Sequence, residues 1–441
     1  MRVLFIHQNF PGQFKHIAQH LANQPGVEVL AIGRDTAPGL PGVRLLRYKP
    51  HRSANAGTHP YVRSFEDAVL HGQEVLRLLL DLKRKGYRPD VIVAHPGWGE
   101  TLYVKEAFPE TRLIHFCEFY YHSHGADANF DPEFPLGIDG AARIRSRNAL
   151  HLLNLENCDQ AITPTQWQHS LHPAAYRDKI RVIHEGIDTA ALQPDPEATL
   201  QLPNGGVLRA GMPIVTYVAR NLEPYRGFHS FMRALPQLLK QHPSCQVVIV
   251  GGDGVSYGSQ PKDAPNWRSK LLAELFPVEQ PLDLNRVHFL GKVPYETYKQ
   301  VLQVSAAHIY LTYPFVLSWS LLEAMASGCL IIGSDTAPVR EVIRDGENGL
   351  LVEFFDSAKI AETVLAALNN PEQCRGIRAQ AQSSAGAYGL EVGVSRYLDL
   401  LDGSLNCWTN TSGRAAEHKF NVIESVPIAG AGITEFNGET A

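Results

Sequence analysis

No run of about 20 apolar residues occurs in this 441-residue chain, so no segment reads as a membrane span. The opening run Met1–Ile6 is too short for the apolar core of a signal peptide and reads as a first buried strand. Neither sign of charge dominates. A net charge of −5 with 19% charged residues argues against a general nucleic-acid binder, and 44% hydrophobic residues argue against a mainly disordered chain. Cysteine is scarce: Cys117, Cys158, Cys245, Cys329, Cys374 and Cys407 lie far apart, mostly in apolar stretches. That pattern fits reduced, buried thiols of a cytosolic protein better than a disulfide framework. The nineteen histidines are scattered, with neither H-E-x-x-H nor paired C-x-x-C among them, which removes the usual zinc arrangements.

What is present is length and rhythm. A single core stops growing at roughly 250–300 residues, so two domains are expected. In the first half, short apolar runs (Val3–Ile6, Val27–Ile32, Val91–Ala94, Leu113–Cys117, Ala161–Thr163) alternate with helical periodicity (Phe14–Leu21, Ser64–Lys85, Thr101–Ala107, Ala141–Asn157). Continuous apolar strands between helices predict a parallel sheet covered on both faces. Residues 191–210 carry Pro194, Pro196, Pro203 and Gly205-Gly206 without a period, which reads as a linker. A second series follows, with strands at Ile214–Val218, Val247–Gly251, Val287–Leu290, Ala307–Leu311 and Leu330–Gly333. The predicted layout is an N-terminal Rossmann-like domain over 1–190, a second over 211–385, a terminal helix within 386–405 that crosses back, and a mobile tail over 406–441. Two such lobes enclose a cleft.

Chemistry concentrates in the second half. In Tyr313–Val352, Glu323 is expected to open a helix that Gly328 ends through a left-handed cap. A helix start near Ser318–Ser320 turns free N–H groups toward the cleft, where an anion is stabilised. Glu323 can accept hydrogen bonds from a sugar diol; equally, it can simply favour the helix dipole. Arg220 and Arg226 flank a strand-to-helix loop, and arginine pairs with phosphate bidentately. Two surface arginines are the plainer alternative. Val248–Gly254 (V-I-V-G-G-D-G) is a tight turn that lets a backbone approach a ligand, without the spacing of a dinucleotide fingerprint.

In this order the stretches resemble the family-4 retaining glycosyltransferases of the GT-B fold, over roughly residues 1–401. The resemblance rests on Arg220 with Arg226-Gly227, on Val250–Gly254, on Val287–Pro294 (V-H-F-L-G-K-V-P), on Leu321–Ile332 (L-L-E-A-M-A-S-G-C-L-I-I), on Glu341–Val352 and on Glu185-Gly186-Ile187-Asp188, where the family has N-G-[VI]-D. It implies an α/β GT-B protein of two Rossmann-like domains with parallel sheets facing a central cleft. It also implies transfer of a sugar from a nucleotide diphosphate sugar to a polysaccharide, glycolipid or protein-linked acceptor, in cell-envelope or polysaccharide biosynthesis. By the same resemblance, Arg220, Arg226, Gly12, Ser318 and Trp319 bind the donor diphosphate, Glu323 the ribose and Val293 the base.

Departures from the family pattern are specific. Phe315 stands in the donor-sugar region where the family has a glutamate. At the end of an N-lobe strand, where the family has a histidine, Glu118 and His115 are both candidate catalytic residues. Since D-x-D is absent, no metal and no cofactor is expected, and the arginines with the helix dipole carry the charge instead. The family mechanism is front-face transfer with retention, the leaving phosphate taking the acceptor proton. The polar, aromatic run Tyr120, Tyr121, His122, His124, Asp127, Asp131 and Glu133 is the expected acceptor loop. Arg143, Arg145 and Arg147 mark either an acceptor-phosphate or membrane-facing patch or a solvated helix face. The expected location is cytoplasmic, with peripheral association at the inner membrane face left open and no nucleic-acid partner. The lobes are expected to close on the donor about hinges near Ala190–Ala210 and Gly386–Leu401. Another enzyme on the same fold, such as an epimerase or phosphorylase, and a non-catalytic sugar-nucleotide binder are the competing readings.

Overall fold

The computed structural model describes residues 1–275 and 284–403; the predicted tail and Cys407 lie outside them. Seven parallel strands form the first sheet: β1 (Arg2–Ile6), β2 (Glu28–Arg34), β3 (Arg44–Tyr48), β4 (Val91–Ala94), β5 (Arg112–Phe116), β6 (Gln160–Thr163) and β7 (Ile180–Val182). Their spatial order is β3-β2-β1-β4-β5-β6-β7. Val3–Ile6 and Val91–Ala94 are wholly buried, as strands covered on both faces must be. The covering helix Arg63–Arg84 buries Val75, Leu79 and Leu82 at helical spacing.

A hairpin follows, β8 (Thr199–Gln201) with β9 (Val207–Arg209). The segment read as a linker is therefore structured. Its Leu200 and Leu208 pack with Ile214, Val248, Val301 and Val304, so it is sealed onto the second lobe. The prolines and glycines that looked like linker composition sit around a hairpin whose apolar residues are too few to show a period.

The second sheet is β10 (Ile214–Asn221), β11 (Gln246–Gly252), β12 (Val287–Gly291), β13 (Ala307–Tyr310), β14 (Ile331–Ser334) and β15 (Leu350–Val352), in the order β12-β11-β10-β13-β14-β15, all parallel. Tyr217 stacks on Phe231 at 5.3 Å inside its core. The order reverses between β1 and β4 in one sheet and between β10 and β13 in the other. Such switch points open crevices at the carboxyl ends of the strands, where ligands bind in sheets of this kind. The terminal helix Leu390–Leu401 returns to the first lobe: Leu390 donates to the Ile187 carbonyl at 3.0 Å, and Gly393 lies so close to Glu185 that a Cβ would stand 2.8 Å from its backbone.

Among the described residues five cysteines are free and buried. Among the described residues no helix is long and apolar enough to cross a membrane.

Candidate functional site

Arg220 occupies the end of β10, and Arg226 ends the short Pro224–Arg226 turn. Gly227 follows at φ 69°, a left-handed value, and a Cβ there would meet Leu311 at 2.2 Å, so glycine is required for the chain to enter the Phe228–Gln241 helix. Arg226 is anchored from the β13 side: its Nη1 donates to Thr312 Oγ1 at 2.8 Å and to the Val316 carbonyl at 3.1 Å. Tyr257 faces the guanidinium at 5.3 Å. The loop bearing Tyr257 is held by a residue the sequence did not flag. Glu223, fully buried, accepts from the backbone N–H groups of Ser256, Tyr257 and Gly258 at 2.9, 3.2 and 2.8 Å. Arg220, by contrast, is exposed.

The helix opening on this loop is Trp319–Ala326, with Ser318 as its N-cap accepting from Ser320 N at 3.3 Å and Gly328 at φ 74° beyond its end. Glu323 does not open the helix as expected. It lies in the second turn, where the dipole has faded, so the dipole account of this carboxylate loses its basis. Its Oε2 instead accepts from Tyr298 Oη at 2.6 Å. Burial raises the Glu323 carboxyl above its ordinary value, against the opposing pull of Tyr298 and Lys15.

Arg220, Arg226, Tyr298, Ser318, Trp319 and Glu323 line a cavity of about 280 Å³. A shallower one of about 480 Å³ beside it holds Val293, Lys292, Tyr295 and the Gly251 backbone. A third, of about 450 Å³, lies between the lobes, and Arg220, Arg226, Ser318 and Trp319 line it as well. Its first-lobe wall carries His7, Gly12, Gln13, Trp98, Glu118 and Glu185.

That wall is wired together. Gly12 has φ 47°, and a Cβ on it would stand 2.3 Å from His7 Nε2. Asn9 N–H donates to His7 Nδ1 at 2.9 Å, which leaves the proton on Nε2 facing Gln13 Oε1 at 2.7 Å. Gln13 Nε2 donates to Glu118 Oε1 at 2.8 Å. Gly97 N–H occupies His95 Nδ1 at 3.1 Å, so His95 Nε2–H points at Glu118 Oε2, 3.7 Å away. Burial, then the neighbouring His95, lowers His7 to about 3, so it stays neutral. Burial works against Glu118, yet His95 and Gln13 hold it below the ordinary carboxylate value.

Of the two candidates at the end of β5, Glu118 reaches the cleft and His115 does not. His115 is fully buried within the strand and its Nδ1 lies 3.1 Å from the Asn154 carbonyl. Strand alternation turns it toward the Ile138–Asn157 helix, whereas Glu118 lies beyond the strand's end. Phe315 is likewise outside the cavities described. It is 4% exposed and packs on Phe119 at 4.6 Å, Tyr257 at 4.8 Å and Tyr225 at 5.1 Å. His7, His95, Gln13, Glu223, Tyr298 and Glu185 were missed as site residues. His7 and His95 carried one usable signal: each directly follows an apolar strand.

The expected acceptor loop has another use for its acids. The Tyr225 hydroxyl donates to Asp127, Tyr313 donates to Asp131, His229 Nε2 lies 2.9 Å from Asp131, and Arg233 pairs with Glu133. With Phe130 on Phe354 at 5.2 Å, this first-lobe loop clasps the second lobe. Asp131, Glu133 and His229 are near enough to one another to hold a cation, but Arg233 and the Tyr313 hydroxyl already serve their oxygens. Arg143, Arg145 and Arg147 are exposed along one helix, with Arg147 stacked 3.8 Å over the Tyr121 ring.

Residues 25–192 match the model of the glycosyl transferase family 4 group, and residues 206–384 that of the glycosyl transferases group 1. A D-inositol 3-phosphate glycosyltransferase of Nocardia farcinica is 32% identical over 48% of this chain and 45% of its own length. A phosphatidyl-myo-inositol mannosyltransferase of Mycobacterium leprae is 28% identical over 43% of this chain and 44% of its own. These matches span less than half the length of those curated relatives. Among solved structures, a sucrose-phosphate synthase from Thermosynechococcus elongatus superposes with TM-score 0.67 and 19% identity over 92% of this chain and 99% of its own. Anabaena HepE in complex with UDP-glucose does so with TM-score 0.63 and 16% identity over 91% and 100%. At those identities the likeness is one of fold.

Proposed function

This chain belongs to the group 1 glycosyltransferases of the GT-B fold, and from that premise we propose that it moves a sugar from a nucleoside diphosphate sugar to a hydroxyl of a carbohydrate, lipid-linked or protein acceptor. One observation carries the reading. Arg220, Arg226, the start of the Trp319–Ala326 helix and Glu323 line one cavity at the switch point of the second sheet, opposite the Gly12 loop of the first. Arginines and a helix N-terminus are the groups that hold a diphosphate. A carboxylate on the helix's second turn is placed to accept from a ribose diol, and the groove of Val293 and Gly251 has backbone for a base.

Transfer proceeds with retention and without a metal. The arginines and helix N–H groups stabilise the departing diphosphate, whose oxygen takes the acceptor proton as the new glycosidic bond forms. Glu118, fixed by Gln13, is the first-lobe carboxylate placed to orient the acceptor hydroxyl. Because two relatives carry inositol names, inositol phosphate and phosphatidylinositol head up the acceptor screen. Aromatic packing around Phe315 puts a ring where the family's glutamate meets the donor sugar, so donor choice rests on other contacts.

Calorimetric titration with UDP, GDP, dTDP, ADP and CDP, repeated on Glu323→Ala and Arg226→Ala, tests the site. Selective binding of one diphosphate, lost in both variants, is expected and names the donor class. A folded protein that binds none of them overturns the reading.

A further inference from the structure

Glu185 stands where the resembling family has an asparagine, and it is among the residues that line the inter-lobe cavity. It is 5% exposed, and its Oε2 is a buried oxygen without a hydrogen-bond partner. The neighbouring histidine does not serve it. Gly186 N–H occupies His184 Nδ1 at 3.0 Å, so the His184 proton sits on Nε2, 3.9 Å from that oxygen and too far to bond it. A buried acceptor left unserved is costly, and far costlier when ionised. The same cavity wall carries Arg220, Arg226 and the start of the Trp319–Ala326 helix, all suited to an anion.

Resting on the nucleotide-sugar reading, we propose that Glu185 is a further ligand-binding residue of the diphosphate pocket, presenting a carboxylic O–H rather than a carboxylate to a phosphate oxygen. An ionised carboxylate there would repel the anion that the arginines attract. A neutral acid donates to it, as the family's asparagine amide is able to do. The surroundings favour the neutral form. Burial, with the Glu118 charge across the cavity adding to it, pushes Glu185 up to about 8, and the Trp319 side chain opposes this only partly. The other titratable groups facing it bring no cation near neutrality. His184 is lowered to about 4 by burial, and Tyr397, from the terminal helix, is held protonated chiefly by burial. Arg220 and Arg226, farther along the cavity wall, are the ligand's own partners.

Inorganic pyrophosphate is the probe, because it tests the diphosphate pocket whatever the base. Its dissociation constant is measured by calorimetry for the full chain and for Glu185→Gln, from about pH 6.5 to about pH 9.5. The ratio of the two affinities cancels the probe's own titration. Wild-type affinity relative to the variant should fall about tenfold per pH unit above the Glu185 ionisation. In Glu118→Gln the break should move to lower pH, because the like charge that helps hold Glu185 neutral is gone; a break that moves to higher pH overturns that part of the proposal. A pH-independent ratio overturns the proposal, and so does a failure of both proteins to bind pyrophosphate. If Glu185→Gln does not fold, Glu185→Asn replaces it. Pyrophosphate bound with the expected ratio, but no nucleotide bound, would refute the nucleotide-sugar reading and leave Glu185's role standing.

Discussion

Arg226 and Arg220 line the same cavities, yet the structure makes them unequal. Arg226 is partly buried, with one guanidinium nitrogen committed to Thr312 and Val316 while the side chain lines the cavity. Arg220 is exposed. A charge-assisted hydrogen bond in a desolvated site contributes about 1.5–3 kcal/mol, whereas an exposed pair contributes about 0–1 kcal/mol. Arg226→Ala should therefore weaken diphosphate binding by roughly 10- to 150-fold, and Arg220→Ala by about fivefold or less. Arg226→Ala also strands Thr312 and the Val316 carbonyl, which should lower stability by about 1–3 kcal/mol. Arg226→Lys keeps the charge but cannot span both anchors and the ligand, so it should fall between wild type and alanine. The Arg220 contribution should shrink further as salt rises, while that of Arg226 should persist. Calorimetry at two salt concentrations, with thermal melts for the stability effect, reads all of this. Equal losses for the two alanine variants, or a salt-sensitive Arg226, would refute the reasoning from burial.

Glu223→Gln should loosen the 256–258 loop, since an amide cannot accept three N–H groups as a carboxylate does; a loss of about 1–3 kcal/mol in denaturant melts, with faster amide exchange at Tyr257, checks it. Gly12→Ala places a Cβ 2.3 Å from His7 Nε2 at a φ of 47°, so it should depress turnover by displacing the His7–Gln13–Glu118 chain while the melt shifts modestly. Asp131 is opposed by burial but held below its ordinary value by His229 and Tyr313, so its contribution is present above about pH 4 and lost as pH falls through the folded value. Asp131→Asn should accordingly cost about 1–3 kcal/mol at neutral pH and converge with wild type in acid, as urea melts across pH would show.

Much of this molecule is legible in one dimension. Val3–Ile6, Val91–Ala94 and Val247–Val250 are continuous apolar runs because both faces of each strand are covered, and burial on both faces leaves no place for alternation. Helical spacing announced the Arg63–Arg84 helix, and Gly328 announced the left-handed end of its helix. Arg220, Arg226 and Glu323 could be picked out because each sits in a local strand–loop–helix pattern. The hairpin at 199–209 escaped because three-residue strands carry too few apolar positions to show a period.

What the tertiary structure decided is which polar groups face the cleft. His115 and Glu118 are three residues apart, and nothing local separates them; the end of β5 does, by leaving one in the strand and the other past it. Asp127, Asp131 and Glu133 looked like acceptor ligands until the second lobe supplied Tyr225, Tyr313, His229 and Arg233 as partners, some 100 positions or more away in sequence. Glu185 reads in sequence only as the position where the family motif has asparagine, and it is the fold that brings the Leu390–Leu401 helix and Trp319 against it. Periodicity reports burial along one element, because backbone geometry repeats locally. The protonation, pairing and exposure of a side chain depend on atoms from distant elements, and those are known only once the chain has folded.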